Sequence, residues 1–296
     1  MKAWWQRHWT TESFRWSLLV FAAAAAVRVI NLLFLEHNDP AFYVPQIDSL
    51  WHHRWAIEII SGSFWGDEVF FRAPLYPYLL ALIYWIFGIK IFVAKFIQAI
   101  GGALTCVLIY QLGRTAFTER VGRLASLLAV FYGTLILYES ELLIEWLPMI
   151  FNLGMLLLML RHREAASLGR WFCIGLLGGL STIARPNVLL VFPFLALWLW
   201  LGQRRSHGWL AALQRPLMYA MGIAICVLPV TIRNYVVGHD VVLVSSQGGV
   251  NFYLGNNPEA DGLTMVMPEI RLDLSIPWSE FVDTTDSYAR HDQGRP

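Results

Sequence analysis

An all-helical, multi-pass membrane bundle is the fold class this sequence predicts, on three observations. Of its 296 residues, 57% are hydrophobic and only 15% are charged, against about 25% charge in an ordinary soluble domain. Apolar windows recur near 17–35, 74–89, 91–111, 122–138, 142–160, 171–184, 187–202 and 217–232, several of them close to the ~17–20 residues that cross a bilayer. Basic residues gather in short segments between these windows: Arg114, Arg120, Arg123; Arg161, Arg163, Arg170; and Arg204, Arg205, Arg215.

The net charge of +1 gives no basic face for nucleic acid. Cys106, Cys173 and Cys226 are isolated in apolar runs, so they read as small core residues rather than as metal ligands or a disulfide. The amino terminus (MKAWWQRHWTTESFRW) is basic, but the following run has no small-residue cleavage site before Arg28 and Asn31. It reads as an uncleaved first span.

Sidedness follows from the arginines. Short loops rich in Lys and Arg stay cytoplasmic, and the three basic loops and the amino terminus can share that side only if the window 74–89 does not cross. That window contains Pro74 and Pro77, ends near Gly88 and is rich in Tyr and Trp. At ~1.5 Å per residue it reaches about 24 Å, short of the ~30 Å hydrocarbon core. The expectation is an interfacial or re-entrant helix there, a second surface helix near 47–61, and seven crossings with the amino terminus inside. The Arg185-Pro186 pair interrupts 171–202 and marks a hairpin with its tip outside.

This arrangement places the unusual polar residues on one side. Asp48, His52, His53, Arg54, Asp67, Glu68 and Arg72 fall in the first outer loop, Glu139, Glu141 and Glu145 at a later outer turn, and Arg185 and Arg233 at outer helix ends. Ionisable groups at membrane depth usually face a cavity or a partner, though each alone also reads as a solvated or snorkelling side chain. Asp48 and His52 lie four apart and share a helix face. Spacing alone favours Asp48 as a helix cap over a proton acceptor, and the adjacent histidines as interfacial polar groups over a metal pair. Glu139 and Glu141, two apart, point to different faces, so one of them enters a cavity. Arg72, before Ala73-Pro74, can grip a phosphate with a bidentate fork.

Beyond the last window, "VVLVSSQGGVNFYLGNNPEADG" suggests a short strand at 241–246 and turns at Gly248-Gly249 and Asn256-Asn257-Pro258. Asn251 and Tyr253 beside Phe252 suit either a carbohydrate contact or a structural turn. Residues 1–236 read as one transmembrane module. Residues 237–296 read as an extracytoplasmic segment, the start of a further domain.

In order, "QIDSLWHHRWA", "FFRAPLYPYLLALIYWIFG", "AKFIQAIGGALTCVLIYQLGR", "YESELLIEWL", "GLSTIARPN" and "RNYVVGHD…GGVNFYLGNNPEADG" resemble the membrane glycosyltransferases of the GT-C type. The resemblance is to glycosyltransferase family 39, kin of the protein O-mannosyltransferases, and it covers essentially the whole chain. It implies a sugar donor carried on a polyprenyl phosphate, an acceptor (protein, glycan or lipid) outside the cytoplasmic membrane, and a GT-C-like bundle. It also implies that Asp48 sits at the reaction centre, that Arg72 contacts the carrier phosphate, and that Glu139 or Glu141 supplies a second acid. Ser49 stands where the family commonly has a second acid, and Trp51 where some members have an arginine that Arg54 could replace. The chemistry needs cations for the departing phosphate, for which Arg72, Arg185 and Arg233 are candidates, and a base for the acceptor hydroxyl, for which Asp48 is the candidate. His52, Arg54, Asn251 and Tyr253 complete the expected binding set. A divalent cation is left open, and no metal-ligand spacing is visible. A transporter or flippase is the competing class; it would show midplane charges and internal repeats, and no repeat is found.

Overall fold

The computed structural model describes residues 11–162 and 167–256. The architecture is helical, and no strand occurs among the described residues. In chain order the helices are α1 (Thr11–Asn38), α2 (Ile47–Ile60), α3 (Leu75–Phe87), α4 (Ile91–Ala116), α5 (Glu119–Val130), α6 (Gly133–Ser140), α7 (Trp146–Arg161) and α8 (Leu168–Ala184). A 3-10 turn (Pro186–Val191) leads into α9 (Phe192–His207), a second (Ala211–Leu213) into α10 (Gln214–Gly238), and α11 (Gln247–Asn256) follows.

Helix α4 is the axis of the bundle. It packs against α1, α5, α6 and α7, and 56% of its apolar window is buried, against 17–28% in the other long apolar helices. Those others turn apolar side chains outward, which suits helices solvated by lipid. The second half of the bundle rests on α8 and α10, the most extensive helix pair. Their backbones meet at Gly175 and Gly222, where a Cβ on Gly222 would lie 2.3 Å from the Phe172 carbonyl oxygen and one on Gly175 would lie 2.1 Å from that of Tyr219. Small residues permit this approach, which is how helices gain packing where water supplies no driving force.

Four segments are long and apolar enough to cross a bilayer: Thr11–Asn38, Ile91–Ala116, Pro186–Arg204 and Ala211–Gly238. The window expected as one span near 122–138 is two helices, α5 and α6, bent by 51°, and counting it as a broken span gives five. Helices α3, α7 and α8 are apolar but have only 13, 16 and 17 residues. The interruption expected at Arg185-Pro186 is present: Arg185 is extended (φ −145, ψ 96) and Pro186 opens the next turn.

Two expectations for the last segment are overturned. Residues 241–246 form no strand, because the Asn234 side chain donates to the Val242 and Val244 carbonyls, each at 3.1 Å, and takes the place of a ladder partner. Gly248 and Gly249 do not make a tight turn; they lie in the first turn of α11. Residues 257–296, including the expected Asn257-Pro258 turn, lie outside the described residues.

Candidate functional site

The two ends of the bundle differ in kind. At one end Arg123 pairs with Glu12 and Glu119, and Arg114 with Glu119 at 2.9 Å; these ion pairs tie the start of α1 to the α4–α5 turn. At the other end five chain segments converge on a cleft of about 330 Å³. Helix α2 contributes Asp48 and His52, the α3 approach gives Arg72 and Ala73, and the α6–α7 turn gives Leu143, Ile144 and Glu145. The break after α8 gives Arg185, Pro186 and Asn187, and the final segment gives Ser245, Gln247, Gly248 and Asn251.

Two ion pairs line this cleft. Arg72 Nη1 meets Asp48 Oδ1 at 2.8 Å, with the two side chains 21% and 49% exposed, and Arg185 Nη1 meets Glu145 Oε1 at 2.5 Å. The Arg72 guanidinium also lies over the Trp51 ring, 5.4 Å from its centroid. These exposures leave both pairs open to exchange with an incoming anion, since partly exposed ion pairs are worth little on their own.

Asp48 does not cap its helix. Gln46 holds that place, and Asp48 lies in the first turn, where a carboxylate favours the helix dipole and is free to meet Arg72. Just before it, Ile47 has φ +47. A β-branched residue in the left-handed region is strained, so the backbone is held in a costly conformation immediately before Asp48, where Ile47 lines a neighbouring cavity.

The histidines are not interfacial. His52 is 4% and His53 2% exposed, because α2 lies on α3 and each imidazole meets a tyrosine. The His52 ring packs edge-on to Tyr76 at 5.0 Å, and His53 Nδ1 hydrogen-bonds the Tyr84 hydroxyl at 2.7 Å. Burial, and then the nearby Arg72, depresses His52 to about 4; burial and Arg54 bring His53 to about 4 as well. Both are neutral at physiological pH.

Behind the cleft, Arg233 and Asn234 at the end of α10 fasten two loops together. Arg233 donates to the carbonyls of Trp65 (2.8 Å) and Glu68 (2.6 Å) and lies 3.9 Å from the Phe70 ring centroid. Asn234 accepts from the Phe70 amide at 3.2 Å. The Ser246 and Gln247 amides then donate to the Phe70 and Phe71 carbonyls at 2.9 and 3.1 Å. Arg72 and the start of α11 are thereby set side by side.

Of the residues expected from sequence, the cleft brings together Asp48, His52, Arg72, Arg185 and Asn251. Arg54 and Arg233 line a neighbouring cavity of about 540 Å³ that shares Arg72 as its wall and adds Trp51 and Trp55. Glu141 is near α2, 3.4 Å from the Ser49 hydroxyl and 3.7 Å from Lys95 Nζ. Glu139 stands apart: it is 4% exposed and bound through both oxygens to Arg28, at 2.5 and 3.3 Å. Tyr253 is 46% exposed on α11 and does not line the cleft. The cleft also uses Glu145, Ser245, Gln247 and Gly248, which sequence reading had not placed in a site. Among the described residues, no group of three His, Cys, Asp or Glu side chains is arranged to hold a metal ion.

The fold and this cleft define a multi-pass membrane protein with an ion-paired cleft at one end of its bundle. A model of the dolichyl-phosphate-mannose-protein mannosyltransferase family matches residues 72–232, more than half of the chain. The chain belongs to that family, and it is a membrane glycosyltransferase of the GT-C type. The matched stretch begins at Arg72, so Asp48 lies outside it. No curated protein and no solved structure matches the chain.

Proposed function

We propose that this protein moves a hexose-type sugar from a polyprenyl phosphate to an acceptor outside the cytoplasm, with Asp48 as general base. The single observation that carries this reading is the Asp48–Arg72 pair, 2.8 Å apart at the cleft. A lipid-linked phosphate entering the cleft competes for Arg72, because a guanidinium fork suits phosphate oxygens at least as well as a carboxylate. The Asp48 carboxylate is thereby released to take a proton.

The acceptor hydroxyl then attacks the anomeric carbon from the face opposite the phosphate. A new C–O bond forms, the bond to the phosphate oxygen breaks, and the configuration inverts. The hydroxyl proton passes to Asp48, and the electron pair leaves on the polyprenyl phosphate. Arg72 and Arg185 stabilise that developing charge, an interaction stronger in the transition state than in the ground state. His52 and Asn251 bind the donor's polar head. Arg54 borders the neighbouring cavity, from which the acceptor approaches.

The sidedness belongs to the same proposal. Seven crossings (α1, α4, the bent α5–α6 pair, α7, α8, Pro186–Arg204 and α10) place the cleft outside and the Arg114 and Arg161 ends inside, in the cytoplasmic membrane of the cell. The location of the basic residues at the end away from the cleft supports it. At ~1.5 Å per residue the two short helices reach about 24–26 Å, which a locally thinned bilayer accommodates. Cysteines at Ser63 and Arg120, both exposed, should label from opposite sides.

The chemical test is transfer of labelled hexose from its polyprenyl phosphate by the reconstituted protein. A positioned base contributes ~10²–10⁴-fold, so Asp48→Asn should lose at least about 100-fold in turnover while still inserting. Undiminished transfer by that variant removes Asp48 from the mechanism.

A further inference from the structure

The first turn of α11 contains two consecutive glycines, Gly248 and Gly249. Glycine is the weakest helix former apart from proline, so a pair in a ten-residue helix calls for a reason. Neither has a positive φ, and a Cβ on either would meet nothing within 4 Å. The protein's own packing does not require them. What lies beside Gly248 is the cleft itself.

The cleft's charges sharpen the point. Its two guanidiniums, Arg72 and Arg185, are matched by two carboxylates, Asp48 and Glu145. Any net attraction for an anion must therefore come from another source. A helix amino terminus is such a source, because its first N–H groups have no intrahelical acceptor and the helix dipole adds partial positive charge. The Ser246 and Gln247 amides are used on the Phe70 and Phe71 carbonyls, and the next N–H groups are those of Gly248 and Gly249. A separate observation points to a ligand at the same place. His52 lines this cleft and is 4% exposed, yet its Nδ1 has no hydrogen-bond partner among the described residues. A buried ring nitrogen left unpaired costs free energy unless something arrives to meet it.

We infer that the first turn of α11 is the seat of the donor's phosphate, held by the Gly248 and Gly249 amides with His52 Nδ1, Arg72 and Arg185 around it. This rests on the polyprenyl-phosphate reading above and assigns the phosphate to particular atoms. The glycines are there because a bound phosphate approaches the backbone where a side chain would otherwise stand.

The test is equilibrium binding of polyprenyl phosphate, the carrier that transfer releases, to the protein in phosphatidylcholine nanodiscs. Gly248→Ala should bind about tenfold more weakly and Gly248→Asp at least about 100-fold more weakly. Both should melt at or above the wild-type temperature, because alanine and a first-turn aspartate favour the helix. Gly255→Ala, in the last turn of α11 and equally unobstructed, should bind as wild type. Wild-type affinity in both Gly248 variants would overturn the assignment and leave the transferase reading standing. Absence of binding by the wild type would overturn both. A tenfold excess of phosphatidylglycerol should not compete; competition equal to that of polyprenyl phosphate would make the turn a bilayer-headgroup site and end the donor assignment.

Discussion

Arg28 on α1 and Glu139 on α6 form a buried, two-point ion pair, Nε to Oε2 at 2.5 Å and Nη2 to Oε1 at 3.3 Å, with side chains only 1% and 5% exposed. Gly102 on α4 makes room for it, since a Cβ there would lie 2.1 Å from the Glu139 carboxylate. The pair thus joins three helices below the acidic turn that carries Glu141 and Glu145.

Removing one partner leaves the other charge buried and uncompensated, which costs on the order of 3–5 kcal/mol. Glu139→Gln or Arg28→Leu alone should lower the melting temperature sharply. The joint replacement Arg28→Leu with Glu139→Leu should recover most of the loss, because well-packed apolar residues often match a buried ion pair. Thermal unfolding in detergent checks this, and additive losses in the double variant would contradict it.

Arg233 makes a different kind of contact, binding backbone carbonyls of the segment between α2 and α3. Arg233→Lys keeps the charge but loses the fork. It should raise amide exchange across residues 64–71 and weaken donor binding more than it slows turnover at saturation. Asn234→Ala should loosen 240–247 as well, since its side chain bridges Phe70, Val242 and Val244. Hydrogen exchange by segment reads both effects.

The neutral, buried histidines make the protein sensitive to acid. A histidine held at about 4 when folded and near 6.5 when unfolded lets the unfolded state bind protons first as pH falls. Stability from this source is complete above about pH 6.5, falls between there and pH 4, and levels off below. The shift is worth on the order of 3 kcal/mol for each residue. His53→Phe should reduce the acid slope of the melting temperature by about half, and an unchanged slope would refute its origin.

Ile47 supplies a test of strain. Its left-handed φ of +47 costs on the order of 1–3 kcal/mol in a non-glycine residue. Ile47→Gly should therefore raise the melting temperature while lowering turnover, because it frees the backbone that aims Asp48. Equal or lower stability in the variant would show that Ile47 is not under strain.

Much of this site could be read from the sequence because charge is scarce in an apolar chain. Asp48, Arg72 and Arg185 stood out for that reason, and the arginine-rich loops put them on one side. What could not be read was how each polar group is satisfied. The sequence shows no link between Arg28 and a residue more than a hundred positions away, so it leaves open which of Glu139 and Glu141 enters a cavity, whereas Glu139 pairs with that buried cation. The alternation at 241–246 is a strand signal, but Asn234 supplies those carbonyls with side-chain donors instead. The His52-His53 pair reads as polar surface until two tyrosines from α3 close over it. Gly248 carried a turn signal, and its place in a cleft depends on hydrogen bonds to Phe70 and Phe71 that no local pattern encodes.

The cleft draws its walls from positions between 48 and 251, nearly the whole described chain. A polypeptide threaded into the bilayer from its amino end therefore displays Asp48 and Arg72 long before it owns a finished pocket. Only when the stretch beyond α10 is made, and its Ser246 and Gln247 amides reach the Phe70 and Phe71 carbonyls, are all the walls of the cleft present. A shortened chain that ends before Ser245 keeps the Asp48–Arg72 pair but lacks the wall formed by Ser245, Gln247, Gly248 and Asn251.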